Sequence, residues 1–242
     1  LSQFRNYQDQ VIHFGRGINI LYGDNAQGKT NVVEAIHLIG TGKSHRTKHL
    51  LDLVRHGEPG FSIDAKIIDA DRDMSVRIAY TRKDGKKMSV NVVARSRWSD
   101  LLGMMHVLLF SPETMDVVKG GPGERRRFVD ILLCQLDPRY LRALQQYTSI
   151  LRNKSAALRD KNGFDRYRDM MPVWNEGMAQ AAGYVALRRM KTVERLQELA
   201  NRELDVISGG RETLSLTLQT FTGKLSLGSQ EDFRAYLLEK LM

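Results

Sequence analysis

The stretch ILYGDNAQGKTNVVEAI, residues 20–36, decides the fold of this chain. Residues 23–30 (GDNAQGKT) match the pattern GxxxxGK[ST] at every fixed position. The preceding residues 18–22 (INILY) form a short apolar, β-branched run typical of a buried strand, and residues 31–39 carry apolar side chains at helical spacing. Strand, glycine-rich loop and helix therefore follow one another in the order of a phosphate-binding P-loop.

The glycines of this loop let consecutive backbone N–H groups turn toward phosphate oxygens at the N-terminus of a helix. Lys29 is placed to reach the β- and γ-phosphates of a nucleotide, and Thr30 to hold Mg²⁺. We therefore predict a nucleotide site with Lys29 as its catalytic residue. A glycine-containing turn that only caps a helix is the alternative. The other predicted binding residues are Gly23, Asp24, Asn25, Ala26, Gln27, Gly28 and Asn31.

The composition favours a polyanionic partner. The 242 residues carry 37 Lys and Arg against 28 Asp and Glu, a net charge of +9, so we expect the surface to attract polyanions such as nucleic acid. A ribosome-associated protein or a merely soluble basic protein has the same balance. Cys134, the single cysteine, excludes an intrachain disulfide and lies in an apolar run that predicts a core position. The sequence holds no signal segment and no apolar run near the roughly 18 residues of a membrane helix, so we expect a cytoplasmic protein without a membrane partner.

Alternating segments predict an antiparallel sheet beside the P-loop. Residues 10–14 (QVIHF) have a strand-like pattern, and residues 61–68 and 74–80 alternate with the period of half-buried strands. Asp84 and Gly85 separate residues 74–80 from another such run at 88–93, which indicates a hairpin with a two-residue turn. A sheet of this kind is typical of ABC-type ATPases rather than of P-loop kinases.

The second half of the chain has a helical pattern. Apolar residues recur at three- and four-residue steps over 136–151 and 174–207, with a polar break at 161–163, which predicts an antiparallel arm of two long helices. Its outer face is a solvated or DNA-facing surface rich in arginine, with Arg139, Arg142, Arg152, Arg159, Arg188, Arg189, Arg195 and Arg202. Residues 213–219 predict a returning strand, and Ser229 with the following acidic residues predicts the cap of a last helix over 233–241.

The chain resembles the RecF family of bacterial DNA-repair ATPases, which is related to SMC and ABC ATPase heads. The similar motifs occur in the family's order over most of the chain: 1–7 (LSQFRNY), 23–31 (GDNAQGKTN) with 34–36 (EAI), 42–47 (GKSHRT), 109–113 (LFSPE), 121–130 (GPGERRRFVD) and 173–174 (VW).

The resemblance implies a mixed α/β fold: an ABC/SMC-type P-loop ATPase head with an antiparallel side sheet and an inserted helical lobe. It implies ATP and Mg²⁺ as cofactors and an ATP-closed homodimer on DNA, at junctions between single and double strands. Family members work with RecO and RecR to place RecA on gapped DNA in recombinational repair and replication restart. Hydrolysis in this family is slow and releases the dimer, and the implied location is the cytoplasm, at the nucleoid.

Further site residues follow from the resemblance by position. Arg5 and Asn6 lie where related heads bring side chains near the nucleotide phosphates. Arg46 resembles the arginine that follows the P-loop helix in SMC heads and approaches ATP or DNA. The segment 110–113 (FSPE) occupies the place of the Q-loop of related heads but has no clear glutamine. We therefore expect Ser111 or Glu113 to take the role of that glutamine beside the metal ion.

We predict an ATPase lobe over residues 1–124, a helical arm over 125–209, and a strand and helix over 210–242 that return to the ATPase lobe. Three arginines lie at the start of the arm: Arg125, Arg126 and Arg127. We expect them to contact DNA or another subunit, and plain helix-surface charge is the alternative. Members of the RecF family also have a GPHRDD segment, an SQGQ-type signature and an apolar strand that ends in Asp-Asp. The 242 residues contain none of these three motifs. We therefore expect the rest of the ATPase lobe to lie outside this chain, and weak nucleotide binding without turnover from these residues alone.

Two other functions remain open. A P-loop kinase for a small metabolite would use the same loop, with the arginines at 125–127 as a catalytic lid, although the predicted antiparallel hairpin argues against it. A structural SMC-like chromosome protein would require a coiled-coil arm far longer than the predicted helices.

Overall fold

The computed structural model describes residues 1–68, 73–160, 163–219 and 229–241. The chain divides into two compact units, Leu1–Thr114 and Met115–Met242. The first contains the sheet and the P-loop helix, and the second is helical. The division falls before the boundary at 124 that the sequence suggested.

Within the described part of the first unit, six strands form one antiparallel sheet in the order β2-β1-β3-β4-β5-β6. Strands β3 and β4 pair over their full length, from Gly60 opposite Thr81 to Ile68 opposite Asp73. The predicted strands at 61–68 and 74–80 are thereby confirmed. The strands are β1 Ser2–Phe4, β2 Tyr7–Asp9, β3 Gly60–Ile68, β4 Asp73–Thr81, β5 Gly85–Val90 and β6 Val93–Arg95.

The hairpin predicted from Asp84 and Gly85 joins β4 to β5, with Thr81 opposite Gly85. Its loop contains residues 82–84, one more than expected, and Gly85 takes the left-handed conformation (φ 71°) that closes a three-residue loop. The single strand expected over 88–93 is wrong. Asn91 and Val92 turn the chain at φ 45° and 63° between β5 and β6, and because Val92 is apolar the sequence pattern did not show the turn.

Helix α1, Lys29–Thr41, packs on the sheet and confirms the helix predicted over 31–39. The core lies between them, with the rings of Phe4 and Phe61 edge to face at 5.4 Å. Alternate residues of the strands point into this core, as the period of a strand requires. Its buried members are Phe4, Ala35, Leu38, Ile39, Leu53, Phe61, Ile63, Val76, Ile78, Met88, Val90 and Leu101.

The strands predicted at 10–14 and 18–22 are wrong, because the structure has no strand at either segment and places β2 earlier, at Tyr7–Asp9. Ile18 and Tyr22 are 92% and 90% exposed. Apolar β-branched residues favour an extended backbone, but a strand forms only beside a neighbour that supplies backbone hydrogen bonds. Within the described ranges no strand pairs with residues 18–22.

The described part of the second unit contains six helices: α2 Asp116–Lys119, α3 Pro122–Leu136, α4 Pro138–Arg159, α5 Gly163–Arg166, α6 Met170–Ser208 and α7 Gln230–Leu241. The long α4 and α6 confirm the two predicted arm helices, and Cys134 is buried as expected. Residues 161 and 162 of the predicted break lie outside the described residues. No helix in the described ranges is long and apolar enough to cross a membrane.

The strand predicted over 213–219 is also wrong, because this segment runs along α6 instead. Leu214 N donates to Asn201 Oδ1 at 2.7 Å, Asn201 Nδ2 donates to the Leu214 carbonyl at 2.8 Å, and Leu216 N donates to Gln197 Oε1 at 2.6 Å. The amide side chains of α6 thus form hydrogen bonds with backbone groups that would otherwise bond to a neighbouring strand.

Helix α7 begins at the predicted cap, since Ser229 N donates to Asp232 Oδ2 and Asp232 N donates to Ser229 Oγ. Arg234 holds the helix to Glu176 of α6, so α7 belongs to the second unit rather than returning to the first.

Two arginines assigned to the outer face of the arm lie between its helices. Arg189 pairs with Asp130 of α3, and Arg188 Nε lies 2.9 Å from Asp137 Oδ2 at the start of α4. The remaining arginines of that face are exposed, namely Arg139, Arg142, Arg152, Arg159, Arg195 and Arg202.

Candidate nucleotide-binding site

At two positions, the loop before α1 has backbone φ angles that glycine adopts far more easily than other residues. Gly23 and Gly28 have φ angles of 134° and 102°, and Ala26 is also left-handed at 64°. A Cβ atom at Gly28 would lie 2.8 Å from Asn6 Oδ1 and from the Tyr7 ring. The turn between β1 and β2 therefore lies directly against the point where the loop enters the helix.

Lys29 is the first residue of α1, and its side chain folds back over the loop. Its Nζ donates to the carbonyl oxygens of Gly23 and Asp24, at 2.8 and 2.5 Å. Thr30 follows in the same turn and is exposed. The helix has a glycine at its N-cap and no acidic residue in its first turn. An ammonium group, the N-terminus of a helix and a hydroxyl are the combination that suits a Mg²⁺-bound phosphate chain.

Sequence reasoning missed the residue that organises the surroundings of this loop, Glu34. Its side chain is fully buried in α1 and accepts a forked pair of bonds from Arg5, Nε to Oε2 at 2.9 Å and Nη2 to Oε1 at 2.8 Å. Ser44 Oγ donates to Oε1 at 2.5 Å, and Arg46 Nη1 reaches Oε2 at 3.3 Å. Glu34 shares a helix face with Leu38 and Thr41, and a carboxylate on that buried stripe was the signal in the sequence.

The pKa of Glu34 reflects two opposing effects. Burial raises it, but hydrogen bonds from Arg5 and Ser44 and the charges of Arg5 and Arg46 together hold the pKa below its ordinary value. The group is therefore an anion at neutral pH, and the two arginines remain its counterions.

Arg5 occupies a strained backbone position, with φ 54° in the turn between β1 and β2. Besides its fork on Glu34, it donates from Nη1 to the Asp52 carbonyl at 2.7 Å. The next residue, Asn6, donates from Nδ2 to the Ala26 carbonyl at 3.4 Å. The structure thus brings Asn6 to the loop and fixes the Arg5 guanidinium on α1.

Arg46 lies at the first turn of α1. Its Nη1 donates to Asn31 Oδ1 at 2.9 Å, and Asn31 Nδ2 donates in turn to Asn6 Oδ1 at 2.8 Å. The predicted residues Asn6, Asn31 and Arg46 therefore form one chain of hydrogen bonds beside Lys29 and Thr30. Their contact with a nucleotide stays a prediction.

The remaining predicted residues belong to other segments of the chain. Arg125, Arg126 and Arg127 belong to the second unit, where they are exposed near the start of α3 and Arg125 Nη1 donates to the Gly120 carbonyl at 2.8 Å. Ser111 is half-buried in the first unit, and the side chain of Glu113 lies outside the described part of the structure. The metal-side role suggested for Ser111 or Glu113 stays a prediction.

Comparisons with known proteins identify the family of the chain. Residues 1–207 match the family described as AAA domain. The DNA replication and repair protein RecF of Acetivibrio thermocellus is 35% identical over 216 residues, which cover 89% of this chain and 58% of the relative. RecF of Lysinibacillus sphaericus is 35% identical over 243 residues, which cover 100% of this chain and 65% of the relative.

A solved structure of the recombination mediator protein RecF with ATP superposes on the chain with a TM-score of 0.90. It is 28% identical, and the match covers 99% of this chain and 64% of that chain. The chain thus spans 58% to 65% of the length of these proteins. The match confirms the predicted fold class, a mixed α/β ATPase head with an antiparallel sheet and a helical part. The chain belongs to the family described as AAA domain and is a member of the RecF family.

Proposed function

We propose that the protein is an ATP-dependent DNA-binding repair protein. The observation that carries this proposal is the position of the Lys29 ammonium, which lies on the P-loop at the N-terminus of α1 within 2.8 Å of a loop carbonyl. A triphosphate would take over the contacts that Lys29 now makes with the loop, because phosphate oxygens carry more negative charge than carbonyl oxygens.

The roles of the site residues follow from their places. Lys29 binds phosphate, Thr30 holds Mg²⁺, and the N–H groups of residues 23–28 and the side chain of Asn31 orient the nucleotide. Asn6 supports the loop through the Ala26 carbonyl. Bound ATP supplies the negative charge that draws these groups together and, on hydrolysis, the free energy that resets the protein.

The proposed DNA contacts rest on charge. The chain carries a net charge of +9, and the exposed arginines of α4 and α6, with those at 125–127 in α3, offer guanidinium groups to DNA phosphates. We expect an ATP-closed homodimer at single-strand to double-strand junctions, acting with RecR and RecO to assist RecA loading at gaps. The expected location is the cytoplasm, at the nucleoid.

The chemistry of the 242 residues alone is more limited. Their sequence holds no SQGQ-type signature and no apolar strand ending in Asp-Asp. The described residues therefore supply the groups that bind phosphate, but not the pair of carboxylates that would bind Mg²⁺ and activate water. We infer that this chain binds ATP weakly and hydrolyses it negligibly, whereas the intact protein is a slow ATPase.

The test is the affinity of the protein, in the length that the cell produces, for gapped duplex DNA with and without ATP, measured by fluorescence anisotropy. We expect ATP to tighten binding by about tenfold, an allosteric coupling of ordinary size, and Lys29→Ala to abolish that gain. Lys83→Ala is the matched control, since it removes the same charge from the exposed β4–β5 loop and leaves the ATP dependence intact. Equal affinity with and without ATP, unchanged by Lys29→Ala, would refute the proposal.

A further inference from the structure

The carboxylate of Glu34 holds two arginines unequally. Arg5 uses Nε and Nη2 on the two carboxylate oxygens and Nη1 on the Asp52 carbonyl, and its side chain is 20% exposed. Arg46 uses Nη1 for both of its contacts, the one to Glu34 is long at 3.3 Å, and its side chain is 42% exposed. Arg5 is therefore held at three donors, whereas Arg46 is held at one.

The attachment of Arg46 places it beside the predicted phosphate site. Its Nη1 is bonded to Asn31, which is two residues after Lys29 in the first turn of α1. Ser44 fixes the backbone before it, because Ser44 Oγ accepts the N–H groups of Arg46 at 3.0 Å and Thr47 at 3.1 Å. The same hydroxyl donates to Glu34. Glu34 thus controls both the side chain and the backbone position of Arg46.

We propose that Glu34 is a positioning residue for nucleotide binding: it withdraws Arg5 into a structural clamp and presents Arg46 as the one cation of the pair that contacts the bound triphosphate. This inference rests on the function proposed above and divides the roles of the two arginines, of which the family resemblance placed Arg5 near the nucleotide phosphates and Arg46 near ATP or DNA.

The physical basis is the difference in what each arginine would lose. Turning Arg5 toward a ligand would break the forked pair and leave a fully buried carboxylate short of its main counterion, which is strongly unfavourable. Arg46 contacts Glu34 and Asn31 through Nη1 alone, so its Nε and Nη2 can reach a ligand while Nη1 stays in place, and Arg5 and Ser44 continue to satisfy the carboxylate. A triphosphate can therefore recruit Arg46 without leaving Glu34 unpaired.

The test measures the affinity of the chain for a fluorescent N-methylanthraniloyl ATP in a double-mutant cycle. Arg46→Ala should weaken binding about tenfold, as expected for a lost charge-assisted bond. Glu34→Gln should weaken it in the wild type, yet change it less than about twofold when Arg46 is already alanine, because the two residues act through one contact. Arg5→Ala should lower the midpoint of thermal unfolding and change ATP affinity less than about threefold, since it loses structure rather than a ligand contact.

Ser44→Ala provides the same comparison if Glu34→Gln does not fold. It removes the bond to Glu34 and the acceptor of two N–H groups, and it should weaken ATP binding only while Arg46 is present. Glu34→Gln and Ser44→Ala effects of equal size with and without Arg46 would show a purely structural role and overturn the inference, as would unchanged affinity in Arg46→Ala. Lys29→Ala separates the two proposals: if it abolishes binding while Arg46→Ala does not, only this inference fails, and if it has no effect, the proposed function fails as well.

Discussion

Arg189 of α6 and Asp130 of α3 form a forked ion pair, with Nε to Oδ1 and Nη2 to Oδ2 both at 2.8 Å. The hydroxyl of Tyr140, a fully buried residue of α4, donates to the same carboxylate at 2.6 Å. Burial and the bond to Asp130 raise the pKa of Tyr140 far above its ordinary value, so the hydroxyl keeps its proton. Three helices of the second unit thus meet at one carboxylate.

Arg189→Ala should destabilise the second unit by about 2 kcal/mol, because it leaves a largely buried carboxylate with the Tyr140 hydroxyl alone. Arg195→Ala is the matched control in the same helix, since Arg195 and its partner Glu198 are 56% and 59% exposed. Exposed pairs of this kind contribute little, so the control should lose less than about 0.5 kcal/mol. Urea unfolding followed by helical circular dichroism measures both, and equal losses would contradict the network.

Glu34 should make the stability of the first unit depend on acid. Its pKa is lowered in the folded chain from an ordinary 4.5, so between the two values the unfolded state binds more protons. Its stabilisation is complete above pH 4.5 and is lost as the pH falls through the lower, folded value. The difference in unfolding free energy between wild type and Glu34→Gln should therefore be constant at neutral pH and shrink in acid.

The control for this prediction is Glu58→Gln, which removes a partly exposed carboxylate paired with Arg55 at 3.9 Å. It should show a small difference at every pH. A difference between wild type and Glu34→Gln that stays unchanged into strong acid would mean that the ionised carboxylate does not stabilise the fold.

Gly28→Ala should disrupt the loop for two reasons. The position has φ 102°, and the new Cβ would lie 2.8 Å from Asn6 and Tyr7. Gly17→Ala shares the left-handed backbone, with φ 81°, but has open space around the added atom. Backbone strain alone is worth about 1–2 kcal/mol, so Gly17→Ala should lose no more than this and Gly28→Ala clearly more. Denaturant unfolding of both variants measures the excess, and equal losses would contradict the close packing of the turn on the loop.

Val92→Gly should stabilise the first unit. Val92 is 93% exposed and has φ 63°, a conformation that a β-branched side chain strongly disfavours. Glycine relieves this strain and gives up almost no packing, so we expect a gain of about 0.5–1 kcal/mol. Asn91→Gly should not share it, because Asn91 Oδ1 accepts the Ser75 N–H at 2.8 Å. A loss of stability in Val92→Gly would show that Val92 makes contacts that compensate its strain.

Features set by neighbouring residues could be predicted from the sequence. The hairpin at Asp84 and Gly85 and the cap formed by Ser229 and Asp232 depend on side chains within a few residues, and both are present. The P-loop helix and the two arm helices have strong periodic patterns and are present as well. Long-range pairing could not be predicted: residues 18–22 have the composition of a strand, but composition does not say which backbone lies beside them.

Two buried charged residues, one in the site and one in the arm, lie at positions whose burial the sequence already indicated. Arg189 lies midway between Val185 and Val193 on the stripe that the periodicity assigned to the core, and Glu34 lies on the buried stripe of α1. Arg189 was assigned to the outer face of the arm and Glu34 was given no role, although the position of each indicated burial with an opposite charge. The partners, Asp130 and Arg5, lie far away in the sequence, so the pairing itself required the structure.

The central claim is that the P-loop of this chain binds a nucleoside triphosphate through Lys29. Calorimetric titration of the 242-residue chain with ATP and Mg²⁺ tests it most directly, in parallel with Lys29→Ala and the charge-matched control Lys83→Ala. We predict measurable heat of binding, with an affinity in the micromolar to millimolar range, for the wild type and Lys83→Ala, and loss of binding in Lys29→Ala. Binding of equal strength in all three proteins, or in none of them, would contradict the account.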